Sequence, residues 1–138
     1  MELHRNDNQT EHVLTASGAI GIAELPELRT RLLEAIGSAG LDFDLLLDAR
    51  HVSAFDDAAL PALTAGRSRA KHLRRHLVVL EGEGGAVSAS LRRSGLLFRF
   101  PVYADASAAR EGLAAERAEL QARSFGRTVV SGPRRAAS

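Results

Sequence analysis

The sequence predicts an α/β protein: a sheet of four to five strands with about four amphipathic helices. Three observations predict it. Apolar segments alternate with segments whose leucines and alanines recur at three and four residues. The run Leu45, Leu46, Leu47 lacks the polar alternation of a one-sided strand, as expected where both faces are covered. Glycines and prolines fall where these elements should start or stop.

The elements follow in order. Residues 1–11 are polar and are expected to be irregular or a short edge strand. Val13, Leu14 and Ile20, with Thr and Ser between, read as a strand ending in a turn at Gly18 or Gly21. Leu25, Leu28, Leu32, Leu33 and Ile36 form one helical stripe, with Pro26 in its first turn and Gly37 and Gly40 closing it. The segment FDLLLDARHVSAF is the central strand. Helical spacing returns through Leu60, Leu63, Ala70 and Leu73, and LVVLEG at 77–82 is a second buried strand. Gly82, Gly84 and Gly85 make a turn before a short third helix containing Val87 and Leu91, which Gly95 stops. Leu97, Phe98, Phe100 and Val102 read as a last strand, and ASAAREGLAAERAELQA as a closing helix. One domain over 12–123 is expected, with a flexible tail at 124–138, where periodicity lapses.

Composition excludes several functions. With 138 residues, formal net charge +1 and 25% charged residues, no strong global field attracts nucleic acid or anionic membrane. Lys71 is the lone lysine among 18 basic residues, and the arginines are spread along the chain. There is no cysteine, so disulfides and thiolate chemistry are absent, and a reducing cytoplasm is the expected compartment. No apolar run approaches the roughly 20 residues of a membrane helix. Without Trp, and with one Tyr and five Phe, stacking platforms for bases are scarce.

Sites of chemistry are equally sparse. His72 and His76 stand at i and i+4, a spacing that suits zinc, but Lys71, Arg74 and Arg75 surround them and repel a metal, so no metal or cofactor is expected. EGEGGAVS precedes a helix where phosphate can bind, yet it matches no phosphate-loop pattern, and Glu81 and Glu83 repel an anion. No GxSxG is present. Asp56 and Asp57 lie where the central strand gives way to a helix whose first turn must contain Pro61. Capping of that helix is the reading favoured from the residues alone. The like charge beside each is expected to perturb the titration of one of the pair.

Set side by side, three segments resemble the STAS domain of bacterial anti-sigma-factor antagonists. GAIGIAELPEL, from Gly18 to Leu28, is similar to the family's early GELDxxxxxxL turn and helix. Asp48 to Leu63 resembles the central DLSGVxFIDSSGLxxL motif, and SLRRSGLLFRFPVYADASAAREGL resembles the late helix, strand and closing helix. The resemblance covers about Val13 to Leu113 and implies a mixed sheet with helices packed mainly on one face. In its motif, Asp56 takes the aspartate, Asp57 the phosphoacceptor serine, Ala58 the second serine and Ala59 the glycine. Gly21 replaces the early aspartate, and Pro61 stands where glycine is common.

The function implied is that of a non-catalytic partner switch in transcription, which binds an anti-sigma factor, of serine-kinase type in many relatives. The implied contact residues are Ser53, Asp56, Asp57, Ala58 and Ala59, with Asp57 at the regulatory position. A phosphoserine there would bring about −1.5 to −2 charges, and aspartate carries a fixed single one. Asp57 therefore either mimics the phosphorylated state or belongs to a constitutive complex. The alanine-rich closing helix is the candidate for a homodimer contact. The alternative reading is a sensory STAS module for a nucleotide, another small ligand or a signalling assembly.

Overall fold

The structure, a computed structural model, describes residues 1–7, 11–38 and 44–131. The expected stop at Gly40 and the last seven residues of the expected tail, 132–138, lie outside them. Two compact units are distinguished, Met1–Ala106 and the segment from Ser107 onward.

The first unit carries a five-stranded sheet in chain order: β1 (Glu2–Asp7), β2 (Glu11–Ile20), β3 (Asp44–Phe55), β4 (Leu77–Leu80) and β5 (Val102–Tyr103). β1 pairs antiparallel with β2, and every later pair is parallel, so the sheet is mixed. The polar N-terminus is thus an edge strand, where charged and polar residues discourage further pairing. Helices α1 (Leu25–Ser38), α2 (Leu60–His72) and α3 (Ala86–Arg93) connect the parallel strands. Right-handed crossovers between strands added in one direction place every connecting helix on the same face. Accordingly Leu28, Leu32 and Ile36 of α1, Leu63 of α2 and Leu91 of α3 share one core with Leu14, Leu45, Leu47 and Val79.

The uninterrupted leucines of β3 behave as their pattern implies, with Leu45, Leu46 and Leu47 all buried although they point alternately to opposite faces. Gly18 does not end β2. It sits inside the strand at φ 83°, beside a shift of register against β3, a conformation open to glycine. At Gly66, α2 passes close to its neighbours: a Cβ there would lie 3.1 Å from Leu77 Cδ2 and 3.6 Å from Leu32 Cβ.

The last strand is shorter than its apolar residues suggest. Leu97–Arg99 is a 3-10 turn, and only Val102–Tyr103 joins the sheet. Pro101 brings no N–H to a ladder. Its carbonyl accepts from Val79 N (3.0 Å), while Leu97 and Phe100 pack against the core and Phe98 points outward, 80% exposed.

In the second unit, α4 (Ala106–Ser131, from its first residue in the preceding unit) continues eight residues beyond the expected boundary at 123. No helix among the described residues is long and apolar enough to cross a membrane.

Candidate functional site

Strand β3 delivers its last residues to the start of α2. Asp56 N donates to Ile20 O (2.9 Å), tying the ends of β2 and β3 together. Asp56 is extended, and its Oδ1 accepts from Ala58 N at 2.9 Å, capping the 3-10 turn Asp57–Ala59 that leads into α2. The capping role inferred from sequence is therefore carried by Asp56. Pro61 falls in the first turn of α2, where its missing N–H costs nothing.

Asp57 does something else. Its Oδ1 accepts from Ser90 Oγ (2.5 Å) and from an Arg93 terminal nitrogen (2.7 Å), and its Oδ2 faces Arg93 Nε at 3.3 Å. Both partners are on α3, one turn apart, so they project from the same face. Ser90 is wholly buried, whereas the Asp57 and Arg93 side chains are 47% and 56% exposed. The Arg93 guanidinium, and after it the Ser90 hydroxyl, holds the Asp57 carboxyl below its ordinary value; Asp57 in turn raises Arg93. This direction is opposite to what a neighbouring like charge would produce. Such a carboxylate is held in place and stays ionised, which suits a positioned surface group better than a proton acceptor.

Of the five residues singled out from sequence, Ser53, Asp56, Asp57 and Ala58 are exposed, Ser53 near the end of β3 and the other three at the β3–α2 junction. Ala59 is not part of that surface: its side chain is fully buried in the core, as a small residue must be where the turn closes on the sheet.

The sequence did not single out Ser90 or Arg93, and it read Glu81 only as a residue that repels an anion. Glu81 leaves β4 and turns back onto the start of α3, where Oε2 accepts from Val87 N (3.0 Å) and Oε1 from Ser88 N (2.7 Å) and Ser88 Oγ (2.8 Å). The chain thus supplies its own anion to this helix N-terminus. Gly85 makes room for it, since a Cβ there would fall 2.1 Å from Glu81 Cδ. The glycines before a helix were the available signal, with Glu81 as their occupant. At the root of the central motif, Asp48 is gripped by Arg50 through Nε (2.9 Å) and a terminal nitrogen (2.8 Å), and that hydrogen bonding lowers its carboxyl. His72 and His76 do not share a helical face, because α2 ends at His72 and Arg74 turns the chain at φ 59°. His76 instead lies 3.2 Å from Asp44 through Nδ1. Among the described residues, no group of three or more His, Asp or Glu could hold a metal ion.

Comparison with known proteins gives a consistent picture. The family described as "Mlab, STAS domain" matches residues 3–97. No curated protein matches. Similar solved structures include an anti-sigma factor antagonist from Mycobacterium paratuberculosis, at 21% identity and TM-score 0.65, covering 84% of this chain and 93% of that one. Another is the anti-sigma factor antagonist SpoIIAA in its unphosphorylated form, at 14% identity and TM-score 0.65, covering 83% and 97%. A third, a candidate antagonist from Thermotoga maritima, has 11% identity and TM-score 0.68, covering 80% and 92%. At these identities the likeness is one of fold.

Proposed function

The chain belongs to the STAS domain family, and from that premise we propose that it is a non-catalytic partner switch of the anti-sigma-factor-antagonist kind. Its docking surface is the β3–α2 junction, formed by Ser53, Asp56, Asp57 and Ala58 with the exposed side of α2. The observation that carries this reading is an exposed carboxylate, Asp57, at the head of α2 and held in place from α3; it is the motif resemblance that aligns this residue with the family's phosphoacceptor. The partner is an anti-sigma factor of the serine-kinase type. Because a serine kinase transfers phosphate to a hydroxyl, Asp57 takes this position out of phosphorylation control. Self-association through the alanine-rich face of α4 belongs to the same proposal.

The test incubates the protein and an Asp57→Ser variant with serine-kinase-type anti-sigma factors and ATP, followed by binding measurements and site mapping. The expected result is a complex with the native protein and phosphate on residue 57 of the variant alone. Phosphate on Asp57 itself, or binding that survives bulky substitutions at both Ser53 and Ala58, contradicts the reading.

A second reading, a module for a small anionic ligand, draws on one observation. An open groove of about 430 Å³ between α1 and α2 is lined by Arg29, Leu33, Ala65, Ser68, Arg69 and His72. Specific binding raises apparent stability, so a nucleotide series that shifts the melting temperature of the native protein, but not of Arg29→Gln/Arg69→Gln, favours that reading.

A further inference from the structure

Asp57 has been described by its charge, but a partner meets that charge together with what surrounds it. Arg93 approaches both carboxylate oxygens, at 2.7 and 3.3 Å, in the fork arrangement that guanidinium and carboxylate favour. The cation is not carried on a loose segment. Leu91 and Val87 bury α3 in the core, Ser90 is wholly enclosed and adds its own hydroxyl to Asp57, and Glu81 clamps the other end of the helix. The formal charges of Asp57 and Arg93 sum to zero. A bare aspartate at the head of α2 would present one negative charge; an unmodified serine would present none, and a phosphoserine about −1.5 to −2.

We infer that Arg93 is a specificity-determining residue of the docking surface: by pairing with Asp57 it makes this position present the net charge of an unmodified hydroxyl, so that the site is permanently in its binding-competent form. This rests on the docking reading above and decides between its two versions, against a phosphate mimic. It also defines the partner's chemistry. The partner face opposite Asp57 is uncharged, without a lysine or arginine placed to read a free carboxylate, because Arg93 already neutralises that carboxylate's charge. Exposed apolar surface nearby suits such a face: Ile22, 63% exposed, opens the 3-10 turn that packs beside the turn Asp57–Ala59.

Four proteins test it: native, Arg93→Gln, Asp57→Ser and the double variant. Arg93 is exposed, so its replacement leaves the core intact. The first readout needs no partner. In a carboxyl-carbon NMR titration, Asp57 should titrate below the ordinary aspartate range in the native protein and move upward in Arg93→Gln. The second is affinity for a serine-kinase-type anti-sigma factor. Asp57→Ser, which leaves the Arg93 cation uncovered, should also bind more weakly than native. Arg93→Gln, which uncovers the charge, should bind about tenfold or more weakly. The double variant, with no charge left to cover, should recover to within about threefold of native. An unmoved Asp57 titration, native affinity in Arg93→Gln, or a double variant as weak as Arg93→Gln overturns the inference. Failure of all four to bind overturns the docking reading and this inference with it; it is recognised by an Asp57 titration that still responds to Arg93→Gln.

Discussion

Glu81 fills the anion position that its own helix creates, and the cost of disturbing it can be stated. Gly85→Ala puts a methyl group where the Glu81 side chain runs. Either the carboxylate leaves two backbone N–H groups and a serine hydroxyl unpaired, or the turn shifts. A loss of about 1–3 kcal/mol in urea unfolding is expected; unchanged stability would show that Glu81 has an equally good alternative pose. Asp56→Ala removes a cap whose loss typically costs about 1 kcal/mol, measurable in the same way. Acid behaviour follows from Asp48 and Asp57, whose folded-state pKa values lie below the ordinary 3.8. A depressed carboxyl contributes stability that is fully present above the unfolded value and is lost as pH falls through the folded one. Arg50→Gln and Arg93→Gln should therefore flatten the decline in urea midpoint below about pH 4; a decline as steep as the native one contradicts the assigned causes. These residues also show what was legible. The Asp56 cap spans two residues and follows from local spacing. The Asp57 pairs reach 33 and 36 residues along the chain, and no periodicity encodes a contact between two elements' ends.

Among the elements, α1, α2, β3 and β4 were legible because each carries a long apolar pattern whose period matches its backbone. β5 was legible only in its last residues, Val102 and Tyr103. Ahead of it Leu97 and Phe100 reach the core from a 3-10 turn and its end, and Pro101 brings no N–H that could extend the ladder backward. Gly66 also went unnoticed in the sequence, since only tertiary structure shows how closely α2 approaches Leu77 and Leu32. Gly66→Leu should force α2 away from α1 and the sheet and destabilise by about 1–3 kcal/mol, read from the urea midpoint. Retained stability would mean that the helix can slide outward without loss of core contact.

At the scale of the molecule, the chain adds parallel strands in one direction, so its connecting helices crowd one face and its strand-to-helix junctions gather at one end of the sheet. That arrangement sets the head of α2 beside the 3-10 turn that opens with Ile22, and within reach of α3. A surface composed of three separate junctions is suited to being recognised as a shape, and a carboxylate already bound to arginine adds position to that shape without adding net charge. The proposed docking of a partner at this junction is open to direct observation. Amide chemical-shift mapping of the labelled protein with a serine-kinase-type anti-sigma factor tests it most directly. Perturbations are expected to centre on Ser53 to Ala58 and to spread to the exposed side of α2 and to Arg93. Perturbations confined to the α1–α2 groove of Arg29, Arg69 and His72, with Asp56, Asp57 and Ala58 unmoved, would contradict docking at the junction.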